Sequence, residues 1–173
     1  MLIMNPQFST LNSLISHTMK SIVKLLAAAF ALQLAIKLIK RMTQPINPVT
    51  GKITSKFGRR KAPTPGASTL HNGVDIAVPA GTEIKSPWDG TVLQTYSNDA
   101  GGRQMIVTHT NGYRTGYAHL SAFRARAGQQ VKAGDTICLS GNTGRSTGPH
   151  LHFTLTNPAG AKIDPETIFN FKA

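Results

Sequence analysis

Hydrophobic and polar positions divide the chain into two parts. From Ile22 to Ile39 the sequence is apolar except for Lys24, Gln33 and Lys37. After residue 70 no window keeps an apolar period of 3.6 residues, and short β-branched runs recur between Gly, Asn and Asp turn signals. The clearest runs are residues 91–93, 104–110, 113–119, 136–139 and 151–155. The pattern predicts one hydrophobic helix followed by a mainly β domain.

The apolar segment over residues 22–41 is predicted to be a membrane-spanning helix. As an α-helix, residues 22–39 would extend about 27 Å, just enough to cross a bilayer. The charged residues lie toward its two ends and form no stripe along one face, which an amphipathic surface helix would need. Two alternatives stay open. One is a signal peptide starting at Met19, although no clean small-residue cleavage site follows, and the other is a surface or buried helix.

A β-hairpin is predicted around Asn111-Gly112, because this dipeptide favours the positive φ angles of a two-residue turn. Such a turn would place His119 opposite Gln104, and His109 opposite Arg114 on the other face of the hairpin. In that register only one of the two histidines can reach a given site. We expect His119 to be a site residue and His109 to be structural.

Positive charge is concentrated near the N-terminus. The 173 residues include 19 Lys or Arg and 7 Asp or Glu, and ten of the basic residues but no acidic one lie in residues 1–61. A basic cluster precedes the β domain and consists of Lys52, Lys56, Arg59, Arg60 and Lys61. No aromatic interleaving or nucleic-acid motif accompanies it, so we interpret it as a solvated patch facing anionic lipid or wall polymer, not as a specific nucleic-acid site. The single cysteine, Cys138, excludes an internal disulfide and a Cys-rich zinc cluster.

The spacing of histidine and aspartate indicates a metal site. Side chains two and four residues apart in an extended segment point to one face. His71 and Asp75 would therefore project together, as would His150 and His152. Two histidines and one carboxylate with an open fourth position are a ligand set that catalytic zinc uses. The spacing alone does not distinguish His150 from His152.

Four motifs resemble, in sequence and order, those of the lysostaphin-type (LytM-like) zinc endopeptidases that cleave bacterial peptidoglycan. They are Ser55-Lys56-Phe57-Gly58-Arg59-Arg60, His71-Asn72-Gly73-Val74-Asp75, Tyr117-Ala118-His119-Leu120-Ser121, and the segment from Gly141 to Phe153 that ends in Pro149-His150-Leu151-His152-Phe153. The resemblance covers about residues 51–169. It implies a mainly β, antiparallel sheet domain of the lysostaphin type, with a duplicated hybrid motif. This chain has Thr154 where the family often has glutamate.

The resemblance also implies a role for each candidate site residue. His71, Asp75 and His152 would bind one zinc ion, whereas His119 and His150 would act on water and substrate. Which of the latter two is the general base stays open. The implied substrate is peptidoglycan, in its stem or cross-link peptides.

The domain organisation follows from these assignments. We expect a basic segment at 1–21, the hydrophobic helix at 22–41, a linker over 42–70 and the peptidase domain at 51–169. This arrangement suits a membrane-anchored hydrolase facing the cell wall in a bacterial envelope, or a phage lysin in a virion membrane. The alternative is a catalytically silent wall-binding or amidase-activating module, which would bind zinc without hydrolysis. The sequence assigns no oligomeric state.

Overall fold

The computed structural model describes residues 6–62 and 68–172, and it describes only the backbone of residues 6–15 and 37–43. The chain divides into two compact units, Met1–Gln44 and Pro45–Ala173. The N-terminal unit contains helix α1 (Pro6–Thr43), which confirms the predicted hydrophobic helix. Within α1, Ser16–Ile36 is long and apolar enough to cross a membrane, and its side chains are exposed. A signal sequence near an N-terminus can also meet this criterion of length and composition.

The C-terminal unit consists of antiparallel strands, as the sequence predicts. The strands are β1 (Lys52–Ser55), β2 (Gly58–Arg59), β3 (Leu70–His71), β4 (Val74–Ala77), β5 (Glu83–Lys85), β6 (Gly90–Asn98), β7 (Gly102–His109), β8 (Arg114–Leu120), β9 (Ala122–Phe123), β10 (Gln130–Val131), β11 (Thr136–Leu139), β12 (His150–Thr156) and β13 (Lys162–Ile163). A 3-10 turn, Pro165–Thr167, follows β13.

One large sheet carries most of these strands, in the order β1-β4-β12-β8-β7-β6-β10 with β13 beside β12. A smaller sheet has the order β5-β11-β9, and β2 pairs with β3. Strands β1 and β2 fall within residues 42–70, a segment in which turn residues predicted mostly loop. Strand β1 pairs with β4, and Ile53 lies opposite Ile76.

The alternation of side chains in the central strands separates the core from the opposite face of the sheet. Leu151, Phe153 and Leu155 of β12 are fully buried. Because successive side chains of a strand point to opposite faces, His150 and His152 project from the other side. The same holds for β4, in which Val74 and Ile76 are buried while Asp75 lies on the opposite face. Burial of the apolar face thus determines where the polar residues point.

The β7–β8 hairpin differs from its predicted register by one residue. The N–H of His109 donates to the carbonyl of Tyr113, and the N–H of Gly112 donates to the carbonyl of His109. The loop therefore has three residues, with Gly112 at φ +83° in the left-handed position that such loops require. Arg114 accordingly pairs with Thr108, not with His109 as predicted.

A bulge in β8 shifts the pairing with β7 by one residue again, after the shift at the hairpin loop. Between the pairs Met105–Tyr117 and Arg103–Leu120, β8 has one residue more than β7. His119 lies in this bulge with φ 62°, a left-handed conformation that non-glycine residues rarely adopt. The regular ladder predicted up to His119 was therefore wrong, although the Arg103–Leu120 pair beyond the bulge has the predicted register. The bulge, with Ala118 and His119 opposite Gln104, sets the direction of the His119 side chain.

Candidate metal centre

Three side chains from three strands meet on the open face of the large sheet. His152 of β12 and Asp75 of β4 are direct cross-strand partners, and His71 ends β3. Nδ1 of His152 lies 2.7 Å from Oδ1 of Asp75. Nε2 of His71 lies 3.1 Å from the same oxygen and 3.0 Å from Nδ1 of His152. The nearest atoms of all three side chains therefore form a compact triangle.

The outer nitrogen of each imidazole in this triangle faces an acceptor. Nδ1 of His71 lies 2.8 Å from the carbonyl oxygen of Lys56, which can only accept a hydrogen bond. Nε2 of His152 lies 3.2 Å from Oδ1 of Asn72, which also accepts. The proton of each neutral ring is thus held on the outer nitrogen, and the inner nitrogen presents a lone pair.

The carboxylate of Asp75 is held in its ionised form. Burial raises its pKa, but when a proton rather than a cation lies among the three side chains, hydrogen bonds and charge interactions with His152 and His71 outweigh burial and hold the pKa well below its ordinary value. The other oxygen, Oδ2, accepts a hydrogen bond of 2.9 Å from Nη1 of Arg60. For His152, burial is the main influence and lowers the pKa, so the neutral imidazole is favoured.

The chemistry of this donor set fits a zinc ion. Two imidazole lone pairs and a carboxylate oxygen at 2.7–3.1 Å repel one another unless a cation or a proton lies among them. Nitrogen and oxygen ligands suit Zn²⁺, and three protein ligands leave the open position of a catalytic site. Hard cations such as Ca²⁺ and Mg²⁺ prefer oxygen ligands alone.

Two further histidines stand beside the triangle. Nε2 of His150 lies 3.8 Å from Oδ1 of Asp75, farther than the 2.7 Å of His152. The ring of His119 lies 4.6 Å from that of His150 and 6.2 Å from that of His152, measured between centroids. The distances thus separate His150, which spacing alone could not, from the three converging side chains.

One glycine-rich loop, residues 141–148, orients both of these histidines. Nδ1 of His119 donates to the carbonyl of Thr143 at 2.8 Å, and Nδ1 of His150 donates to the carbonyl of Gly148 at 2.8 Å. Ser146 Oγ lies 3.2 Å from the latter nitrogen. Each neutral ring therefore keeps a lone pair on Nε2. Burial lowers the pKa of His119, which favours this neutral form.

A cleft of about 750 Å³ opens over the five side chains. All of the sequence-predicted site residues line it: His71, Asp75, His119, His150 and His152. A cleft of this size accommodates a peptide segment. His109 lies elsewhere, as expected for a structural residue: it is 3% exposed, and its Nε2 is 2.7 Å from Oγ1 of Thr115.

Two contributing residues were not assigned from the sequence. Arg60 was interpreted as part of a solvated basic patch, yet its side chain binds Asp75. Asn72 contacts the ring of His152. Arg60 is the last residue of the first motif, and Asn72 follows His71 in the second motif. Their positions in these motifs were the available signal. Thr154, which stands where the family often has glutamate, accepts a hydrogen bond from Nζ of Lys162 at 3.0 Å.

The antiparallel fold and a His-Asp-His triangle that could hold a metal ion, flanked by two histidines, are features expected of a metallopeptidase domain. A family model described as Peptidase family M23 matches residues 69–165. The chain belongs to this family.

Relatives and solved structures agree with this assignment. The peptidoglycan DD-endopeptidase ShyA of Vibrio cholerae is 44% identical over 111 residues, which cover 62% of this chain and 26% of ShyA. A zinc-containing peptidase from Vibrio cholerae superposes with a TM-score of 0.63 at 37% identity, covering 75% of this chain and 39% of that structure. The catalytic domain of lysostaphin from Staphylococcus simulans gives 0.60 at 32% identity, covering 68% of this chain and 90% of that domain. The chain spans about a quarter of the length of the curated relatives it matches.

Proposed function

We propose that this chain is a zinc metalloendopeptidase that hydrolyses peptide bonds in the stem or cross-link peptides of bacterial peptidoglycan. The observation that carries the proposal is the convergence of His71, Asp75 and His152 beside two histidines with free Nε2 lone pairs. The names of ShyA and its relatives support the substrate class.

In this proposal His71 Nε2, Asp75 Oδ1 and His152 Nδ1 hold the zinc ion. A bound zinc supplies Lewis-acid chemistry, because it lowers the pKa of water and polarises a carbonyl. His119 and His150 carry the proton transfers. Each ring has Nδ1–H tied to a loop carbonyl, so each can accept a proton only at Nε2.

The two histidines divide the work between them. One ring, in its neutral form, accepts the proton of the attacking water at Nε2. The other donates a hydrogen bond to the developing oxyanion from Nε2 when that nitrogen carries a proton, that is, in the imidazolium form. The proton taken up by the first ring is then available to the leaving amine. The loop holds both rings in the same way, through Nδ1. Either histidine can therefore be the base, with the other as the hydrogen-bond donor.

The charge of the cleft suits a substrate with free carboxylates. The charged side chains among its described lining residues, besides the histidines, are Arg60, Lys61, Asp75 and Arg145. Asp75 is committed to the metal triangle and paired with Arg60. The remaining charge on the cleft walls is positive, which favours anionic peptides such as the stem peptides of peptidoglycan.

Digestion of purified sacculi by the full-length protein in detergent tests this proposal. We expect release of new amino groups without release of reducing sugars, abolished by a chelator, restored by zinc and absent in His152→Ala. His17→Ala, in the exposed part of α1, serves as the histidine control and should match the wild type. Zinc binding without amine release from walls of several chemistries would contradict the proposal and favour a wall-binding or amidase-activating module.

We further propose that α1 anchors the chain in a membrane, with residues 51–169 acting as the peptidase domain facing the wall. The 21 residues Ser16–Ile36 extend about 32 Å, the thickness of a hydrocarbon core. The setting is either a bacterial envelope or a phage virion membrane. The full chain should resist alkaline extraction from vesicles, whereas Leu26→Lys with Phe30→Lys should be extracted. Removal of α1 by cleavage during export would instead identify a signal peptide.

A further inference from the structure

We propose that Thr143 is a positioning residue that fixes the His119 imidazole for proton transfer. This inference rests on the proposed peptidase function and names a residue in the machinery of that site. Nδ1 of His119 donates to the carbonyl oxygen of Thr143 at 2.8 Å. The described residues that line the cleft do not include Thr143, so it acts through the histidine and not on the substrate.

The side chain of Thr143 fastens its own carbonyl in place. Its Oγ1 donates to the carbonyl of Leu120 at 2.8 Å and accepts from the N–H of Arg103 at 3.0 Å. Leu120 follows His119 in β8, and Arg103 pairs with Leu120 across the β7–β8 ladder. One hydroxyl therefore joins the loop to both strands at the position of the bulge, and it uses both its donor and its acceptor capacity.

The backbone at His119 needs such a support. His119 has φ 62°, and a non-glycine residue in this region persists where its surroundings hold it there. Its N–H donates to the carbonyl of Gly101 at 2.8 Å. Gly101 and Gly102 pack against the loop so closely that a side chain at Gly102, itself at φ +59°, would collide with Thr143. The imidazole is thus held from its backbone side by Gly101 and from its ring side by Thr143.

Valine and serine at position 143 separate the hydroxyl from the shape of the side chain. Thr143→Val keeps the volume and the backbone carbonyl but loses both hydroxyl bonds, and Thr143→Ser keeps the hydroxyl. We expect Thr143→Val to lower kcat by about 10- to 100-fold with KM and zinc content unchanged, because small displacements of a catalytic group cost this much. Thr143→Ser should restore kcat to within about twofold of the wild type, since it retains the hydroxyl's donor and acceptor capacity.

Two controls distinguish positioning from general destabilisation. Thr82→Val removes a comparable bond, from Oγ1 of Thr82 to the carbonyl of Pro79 at 2.7 Å, and should leave kcat unchanged. In a His119→Ala background, Thr143→Val should cause no further loss, because residues that act as a unit are not additive. An equal loss in the two backgrounds would overturn the positioning role.

Imidazole NMR tests the same inference without any peptidase assay. In the zinc-loaded full chain, the signals that disappear in His119→Ala should show a single Nδ1–H tautomer in the wild type and in Thr143→Ser, and a mixture in Thr143→Val. Wild-type signals in Thr143→Val would overturn the inference even if the protein proved not to be a peptidase. Thr143→Ala is carried in parallel, and loss of zinc binding in both variants would assign Thr143 to the fold instead.

Discussion

His152 and Asp75 occupy directly paired positions of β12 and β4, with Nδ1 of the imidazole 2.7 Å from Oδ1 of the carboxylate. Nε2 of His152 faces the amide oxygen of Asn72, so both facing atoms are acceptors. With its proton on Nε2, the His152 ring turns the lone pair of Nδ1 toward Oδ1 of Asp75, and the two atoms repel each other. A cation bound by both atoms removes this repulsion. We therefore expect metal binding and folding to be coupled at this position of the sheet.

Zinc should stabilise the wild type and leave Asp75→Asn unaffected. At a thousandfold excess of zinc over Kd, the expected gain in the free energy of unfolding is about 4 kcal/mol. Asp75→Asn replaces one ligand oxygen with an amide that binds zinc weakly, so its midpoint should not shift. Calorimetry of both proteins with and without a chelator measures the effect. A shift of equal size in both proteins would place the metal elsewhere.

Arg60 should tune zinc affinity through Asp75. Its Nη1 holds Oδ2 of the carboxylate at 2.9 Å, and such partners of metal ligands are worth about 10- to 100-fold in affinity. We expect Arg60→Met to weaken zinc binding by this factor in competition with a chromophoric chelator. Arg59→Met is the matched control, because Arg59 is the exposed neighbour in β2 and should leave the affinity unchanged.

His119→Ala and His150→Ala should separate catalysis from metal binding. Their Nδ1 atoms are tied to loop carbonyls, and neither ring supplies an atom of the metal triangle. Each variant should retain one equivalent of zinc while kcat falls by about 10²- to 10⁴-fold, the usual loss on removing a general acid or base. Metal analysis and amine release on the same samples provide the two readouts. Loss of zinc in either variant would move that histidine into the ligand set.

His109 should make the fold sensitive to acid. Burial lowers the pKa of His109 to about 4, whereas the unfolded chain binds this proton near pH 6.5. The stability that follows from keeping the ring neutral is therefore complete above pH 6.5 and is lost as the pH falls from 6.5 to 4, by about 3 kcal/mol.

His109→Gln removes this titration and provides the comparison. Denaturant unfolding at pH 7.5 and 4.5, with a chelator present in all samples, gives the loss of stability on acidification for each protein. The loss should be smaller in His109→Gln by about 2 to 3 kcal/mol. An equal loss in the two proteins would mean that the buried imidazole takes up a proton in the folded state.

The sequence predicts the strands and the converging residues because both follow from local rules. The two-residue alternation of β12 buries Leu151 and Phe153 and turns His150 and His152 to the other face. The register of the β7–β8 hairpin was wrong because Asn111-Gly112 sits in a three-residue loop, and the dipeptide alone does not reveal loop length.

Contacts between distant segments carry no local signal in one sequence. The bulge at His119 depends on Gly101 and Thr143, which contact it from another strand end and from a loop. Arg60 reaches Asp75 because β1 pairs with β4, which carries Asp75, and β2 pairs with β3, which carries His71. The charge pattern showed Arg60 as one member of a basic run, and only the fold separates it from Arg59.

The most direct test of the account is a titration of the metal-free full-length protein with zinc while amine release from sacculi is followed. If the chain is a zinc peptidase with one metal site, activity rises linearly to one equivalent of zinc and then stays constant, with no reducing sugar released, and His152→Ala remains inactive throughout. Saturation at one equivalent without amine release, or release that does not depend on zinc, would contradict the account.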